Sequence, residues 1–169
     1  MTIKRESLEL AIDLEKEGHD YYLEQAKDPE NPMVEKVLKS LASQELDHIE
    51  VIKDISEGKP VSAGDLPKTD MEGQVKKVFD QFSDQEKKNW KAERTSVYEH
   101  ALELEEKLYN LYKELAEETE DKEEKEFFKA IMGEENKHYE SIQNVLYYIT
   151  DHDRWMADKE GEVWGWMNV

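Results

Sequence analysis

Ala11-Ile12-Asp13-Leu14-Glu15 returns 90 residues later as Ala101-Leu102-Glu103-Leu104-Glu105, and the same shift lays Tyr22 on Tyr112, Glu45 on Glu135 and His48 on His138. Over residues 11–55 about 12 of 45 positions are identical under this shift, where a composition this biased gives roughly three or four. The chain is built from two copies of one plan. In the first copy Leu8, Ala11, Ile12, Glu15, His19, Tyr22 and Ala26 recur at three- and four-residue steps, the stripe of an amphipathic helix from about residue 4 to 27. Asn31-Pro32 reads as an N-cap with proline at the first helical position, opening a second helix whose stripe of Val37, Leu38, Leu41, Glu45, His48 and Ile52 runs on to Gly58. In the second copy Ser96 with Glu99, and Asp121 with Glu124, have the spacing of capping boxes. They predict a third helix to about Glu118 and a fourth, carrying Phe127, Phe128, Ile131, Glu135, His138, Ile142 and Val145, to about Ile149.

The links within each copy are a few residues long, so each helix pair is an antiparallel hairpin. The link between copies, Gly58 to Thr95, is about 38 residues, enough to run the roughly 39 Å length of a 26-residue helix and return the third helix parallel to the second. The expected fold is all-α, a four-helix bundle of two hairpins joined by a long crossover, over residues 1–150. Within the crossover (58–95), Val75, Val78, Phe79 and Phe82 keep helical spacing and predict a short surface helix. Residues 151–169, with Trp155, Trp164 and Trp166, are too aromatic for a solvated tail and are expected to pack on the bundle or on a second subunit.

Composition agrees with this reading. A chain of 169 residues and 20.0 kDa makes one core, and 4 Pro, 7 Gly and 38% charged residues rich in Glu, Lys and Leu suit helices. The 37% of hydrophobic residues gives those helices something to bury, against disorder. A formal charge of -19 argues against nucleic acid and against an anionic membrane as partners, and favours cations. No run of about 18 apolar residues and no apolar signal core at the N-terminus is present, so the cytoplasm is the expected compartment. With no cysteine, thiolate zinc sites, iron-sulfur clusters and cysteine nucleophiles are excluded, and any metal must sit on oxygen and nitrogen.

Each copy supplies such ligands: one Glu on its first helix and Glu-x-x-His on its second, a spacing that puts carboxylate and imidazole on one helical face. Glu15, Glu45, His48, Glu105, Glu135 and His138 together are the constellation of a dinuclear carboxylate site in a bundle core. Four carboxylates balance two divalent cations, and the donor set suits iron or manganese. The competing reading is a solvent-facing stripe, because uncompensated buried carboxylates cost several kcal/mol each. Repetition of both hits at one register, each about 30 residues after a Glu-x6-Tyr element, favours the metal site.

Glu15-x6-Tyr22, Glu45-x-x-His48, Glu105-x6-Tyr112 and Glu135-x-x-His138 resemble the ferritin-like di-iron carboxylate superfamily, and within it the rubrerythrin branch, over nearly all of residues 4–149. The resemblance implies a ferritin-like bundle holding two Fe ions, with Mn or a mixed Fe/Mn pair as the other options, on the six residues just named. It implies that Tyr22 and Tyr112 hydrogen-bond ligand carboxylates, with a plain core role as the alternative for each. It also implies a non-haem oxidoreductase that reduces hydrogen peroxide or dioxygen. Ferritin-type iron oxidation with storage or sequestration is the rival reading. Two departures from the family are visible. Without cysteine there is no rubredoxin-type domain here, so electrons are expected from an external donor such as rubredoxin. Where the family carries an extra Glu, three residues after the third-helix ligand, stands Leu108. Its repeat partner is Gly18, read either as space beside the metals for the oxidant or as a close helix contact. His19 is read as a partly buried structural residue or as a neighbour of the centre, and a homodimer is the expected assembly.

Overall fold

The computed structural model describes residues 4–27, 32–66, 81, 85, 95–151 and 154. Four helices organise them: α1 Arg5–Gln25, α2 Pro32–Ser56, α3 Thr95–Glu118 and α4 Lys122–Thr150, with a single 3-10 turn at Ala63–Asp65. Among the described residues there is no strand, and no helix is long and apolar enough to cross a membrane. The predicted crossover helix around Val75–Phe82 and the tryptophan-rich segment 155–169 lie outside the described residues.

Contacts between side chains fix the topology. Tyr22 meets Glu105 and Tyr112 meets Glu15, so numbering falls on α3 as it rises on α1, and the pair is antiparallel. His19 with Ala42, Gln44 with His138 and Tyr112 with Phe128 show the same for α1/α2, α2/α4 and α3/α4. Each helix therefore has two antiparallel neighbours, and the long link brings α3 in parallel to α2 across the bundle diagonal.

Burial divides the bundle into three layers along its axis. One apolar layer holds Tyr22, Val37, Leu38, Leu41, Tyr98, Ala101, Ile142 and Val145. The other holds Leu8, Ala11, Ile52, Leu108, Tyr112, Leu115, Phe127, Phe128 and Ile131. Between them, on all four helices, lie the fully buried Glu15, Glu45, Glu105, Glu135, His48 and His138. The stripe is thus not solvent-facing, and the apolar layers exclude water from a band of carboxylates at mid-bundle.

The helix ends follow the turn chemistry with two adjustments. Helix α2 stops at Ser56 because Gly58 takes φ +74, and the amides of Gly58 and Lys59 close back on Ile55 and Asp54 at 2.9 Å each. The link that follows is pinned at its start: Ser62 and Asp65 cap one another, and Val61 and Leu66 join the lower apolar layer beside α4. Asp121 caps α4 as predicted, accepting from the amides of Glu123 and Glu124 at 2.8 and 3.0 Å. The reciprocal half of that capping box is rerouted, since Glu124 accepts from the Thr119 hydroxyl at 2.7 Å and Thr119 in turn accepts from the Asp121 amide at 3.1 Å. Ser96 does not cap α3, which begins at Thr95 and takes Ser96 into its first turn. Tyr98 is buried and the Val97 carbonyl accepts from the Tyr21 hydroxyl at 2.8 Å, so anchoring of this turn to α1 carries helix geometry back past the serine.

Candidate metal centre

The six sequence-predicted ligands converge. Glu15, Glu45, His48 and Glu135 offer four donor atoms within 4.8 Å of one another, and Glu45, Glu105, Glu135 and His138 offer a second such set. Glu45 and Glu135 belong to both. The two sets exchange under the 90-residue repeat, so the internal duplication has become a local twofold axis. Distances obey it: His48 Nδ1 lies 3.0 Å from Glu135 and 3.4 Å from Glu15, while His138 Nδ1 lies 3.4 Å from Glu45 and 3.3 Å from Glu105. The rings of His48 and His138 stack, nearly parallel, with centroids 5.7 Å apart.

Around the ligands the hydrogen bonding is asymmetric between inside and outside. Tyr22 donates to Glu105 Oε1 and Tyr112 donates to Glu15 Oε1, crossing between α1 and α3. Both tyrosines are fully buried, and burial first, then the charge of the carboxylate each one meets, pushes their hydroxyls well above the usual range. They stay protonated and act as donors that orient the two outer carboxylates. The inward-facing atoms have no such partners: Glu15 Oε2, both oxygens of Glu45 and Glu135, Glu105 Oε2, and Nδ1 of both histidines are buried without a hydrogen bond. Orphaned polar atoms of this kind are costly, and a native core keeps them when an ion completes them. The residues fit a pair of metal cations: acceptor-only oxygen and neutral nitrogen, with four negative charges available. The cluster is compatible with a di-metal site.

Without metal, protons take over that balance. Burial, followed by repulsion from Glu135 and Glu45, drives Glu15 well above its ordinary range, and burial takes Glu105 to about 8. Burial also opposes ionisation of Glu45 and Glu135, but the adjacent Glu15 acid and the His138 charge hold Glu45 low, and His48 and His138 hold Glu135 low. Both imidazoles are raised well above 6.5, burial being overcome by Glu15 and Glu135 at His48 and by Glu105 and Glu45 at His138. Mutual repulsion among four carboxylates predicts that all four rise. The two shared ones fall instead, because each is in reach of both imidazoles. Without metal, protonation is favoured at Glu15, Glu105 and both imidazoles and ionisation at Glu45 and Glu135, so opposite charges offset one another within the cluster.

Sequence reasoning missed Gln44. Its amide nitrogen donates to the Ser40 carbonyl at 3.3 Å, which turns Oε1 toward His138 Nε2 at 3.2 Å and leaves Nδ1 facing the carboxylates. No repeat signal marks it, since its counterpart Glu134 is spent on Lys137 at 3.0 Å. His19 is structural: its Nδ1 donates to the Ala42 carbonyl at 2.7 Å, joining α1 to α2, and it belongs to neither ligand set. Leu108 is buried in the apolar layer with Tyr112 and Phe128, so no fifth carboxylate approaches from that position.

Gly18 brings α1 against Glu45. A Cβ there would lie 3.6 Å from Glu45 Cγ and 3.8 Å from Tyr22 Cε2, ordinary contact distances. Gly18→Ala is therefore expected to stabilise the metal-free protein by about 1 kcal/mol through helix propensity, read as a higher urea midpoint. A lower midpoint would show that Glu45 needs this space. For Tyr22→Phe the expectation is opposite, a loss of about 1–3 kcal/mol in the same unfolding measurement, because Glu105 Oε1 is left buried without its donor. Tyr112→Phe should match it by the local symmetry, and unchanged midpoints would mean that the two hydroxyls do not support the outer carboxylates.

The rubrerythrin family model matches residues 6–146. The chain belongs to the rubrerythrin family. No curated protein and no solved structure matches it. Membership carries the di-iron carboxylate character of the family and, in general terms, its oxidoreductase chemistry.

Proposed function

We propose that this rubrerythrin-family chain is a non-haem di-iron oxidoreductase that reduces hydrogen peroxide or dioxygen with electrons from an external donor such as rubredoxin. The observation that carries the reading is the pair of four-residue sets sharing Glu45 and Glu135, which supports two metal ions held side by side. Iron is the proposed metal, with manganese or a mixed pair as variants on the same oxygen-rich ligands. A di-iron pair held by these residues would supply the two electrons that, with two protons, convert one hydrogen peroxide to two waters.

The chain's own residues do the rest. Apolar layers above and below close the centre off along the bundle axis. Glu15, Glu45, His48, Glu105, Glu135 and His138 hold the ions, Tyr22 and Tyr112 fix the outer carboxylates, and Gln44 fixes His138. Leu108 removes the extra carboxylate by which the family exchanges ligands, so redox cycling here runs on a fixed ligand set. Electron delivery by another molecule is part of the proposal, in keeping with the lack of cysteine among these 169 residues. A cytoplasmic homodimer is the proposed context.

The test is anaerobic loading with ferrous iron followed by titration with peroxide. Loaded, reduced protein is expected to consume about one peroxide per two irons and stop, and to turn over only when a donor is added. Sustained consumption with ferrous iron as the sole reductant, together with a soluble mineral in a large shell, would replace this reading with iron storage.

A further inference from the structure

The ligand cluster is twofold symmetric, but its surroundings are not. On the α3/α4 side Glu105, Glu106, Tyr109, Glu135, Asn136 and Tyr139 line a cleft of about 160 Å³ that opens on the surface. Its floor is formed by two of the buried ligands, and Glu105 Oε2 and both Glu135 oxygens are among the atoms left without hydrogen bonds. Its rim is polar and negative, with Glu106 and Asn136 exposed. Shifted by the repeat, these rim positions become Lys16, His19, Leu46 and Ile49 on the α1/α2 side. There His19 is tied across to Ala42, Ile49 is buried at 6% exposure, and a lysine stands where the cleft has a glutamate. The two faces have diverged while the ligands stayed equivalent.

We propose that the α3/α4 cleft is the route by which divalent metal cations reach the centre, with Glu106 drawing the cation to the mouth and Glu105 and Glu135 receiving it. Carboxylate at the rim followed by unpartnered carboxylate oxygen at the floor is a graded path for a hard cation, which exchanges water for oxygen ligands step by step. Lys16 at the matching place on α1/α2 repels the same ion. This inference rests on the metal-centre reading and adds the direction of approach to it.

The duplication supplies internal controls for the test. The full-length metal-free chain is mixed with cobalt(II) alone, and loading is followed by the visible absorption of the bound ion, with final content measured by metal analysis. Asn136→Trp, which roofs the cleft, is expected to slow loading about tenfold or more, whereas Leu46→Trp at the repeat-equivalent site loads at the wild-type rate. Glu106→Lys, a surface change that leaves the bundle intact should the tryptophan disturb α4, is expected to slow loading several-fold and more so at low salt. Lys16→Glu should leave the rate unchanged. Two ions bound by every protein, with rates indifferent to positions 136 and 106 or equally sensitive at 46 and 16, would overturn the cleft alone. A wild-type chain that binds no cobalt would overturn the metal centre and the cleft together.

Discussion

Changing Glu45 and Glu135 together to Ala is expected to remove both metal ions, from about two per chain to none measurable after equilibrium dialysis. Each of these carboxylates serves both ligand sets, so the double change strips two donors from each and leaves Glu15 with His48, and Glu105 with His138. Two donors per ion do not hold a hard divalent cation against water, which prefers six or so ligands. Changing an outer partner of a ligand, as in Tyr22→Phe, costs roughly 10–100-fold in affinity by comparison. The variant must be shown to fold, because each imidazole loses one of the carboxylates that raise it, Glu135 at His48 and Glu45 at His138, and keeps the other. Glu15 with His48 and Glu105 with His138 remain as two pairs, so no isolated charge is left in the core and the bundle is expected to persist between its two apolar layers. Circular dichroism checks the helices and metal analysis checks the ions. Two ions retained by a folded double variant would place the metals somewhere other than this face.

The six converging residues were legible in the sequence because duplication wrote each of them twice. Glu45-x-x-His48 alone is a common pattern in so acidic a chain, and its recurrence as Glu135-x-x-His138, at the same distance from a repeated Glu-x6-Tyr, separates it from chance. Helix pairing was legible through link lengths. What the repeat does not encode was not legible. Gln44 orients His138 but has Glu134 as its counterpart, so periodicity gives it no weight. The capping role of Ser96 failed because tertiary anchoring by Tyr21 and Tyr98 decides where α3 starts, and local propensity is worth less than that contact. The division of the four carboxylates into two raised and two lowered depends on which oxygens reach the imidazoles, a matter of ångströms that helical spacing does not fix. The cleft over Glu105 and Glu135 likewise arises from rim residues of different size and charge on two faces with the same ligands.

Between pH 5 and pH 7.5 the difference in melting temperature between metal-loaded and metal-free protein is expected to widen steeply. In the metal-free chain Glu15 and Glu105 have folded values above the ordinary 4.5, with Glu105 at about 8, so the folded state binds more protons than the unfolded one. Their contribution to stability is complete below pH 4.5 and is lost as pH rises toward the folded values. His48 and His138, raised above 6.5, act in the same direction: their contribution is complete below 6.5 and lost above it. Glu45 and Glu135, lowered, contribute above pH 4.5 and lose that contribution only in stronger acid, outside this window. Metal-free protein therefore weakens as pH rises from 5 to 7.5. Loaded protein behaves oppositely, because bound cations need ionised carboxylates and neutral imidazoles, so at low pH protons compete for the ligands. Loading near neutral pH should release protons held by Glu15, Glu105, His48 and His138, measurable by calorimetry in buffers of different ionisation enthalpy. Each displaced proton changes the apparent metal affinity about tenfold per pH unit, so several released at once give a dependence that solvated glutamates, already ionised above pH 6, do not produce. Comparing the two forms at each pH largely cancels the repulsion of the -19 surface, which is common to both. A difference that stays flat at fixed excess metal, or that shrinks as pH rises, would mean that these six groups do not share one buried set of protons, and the di-metal site would go with it.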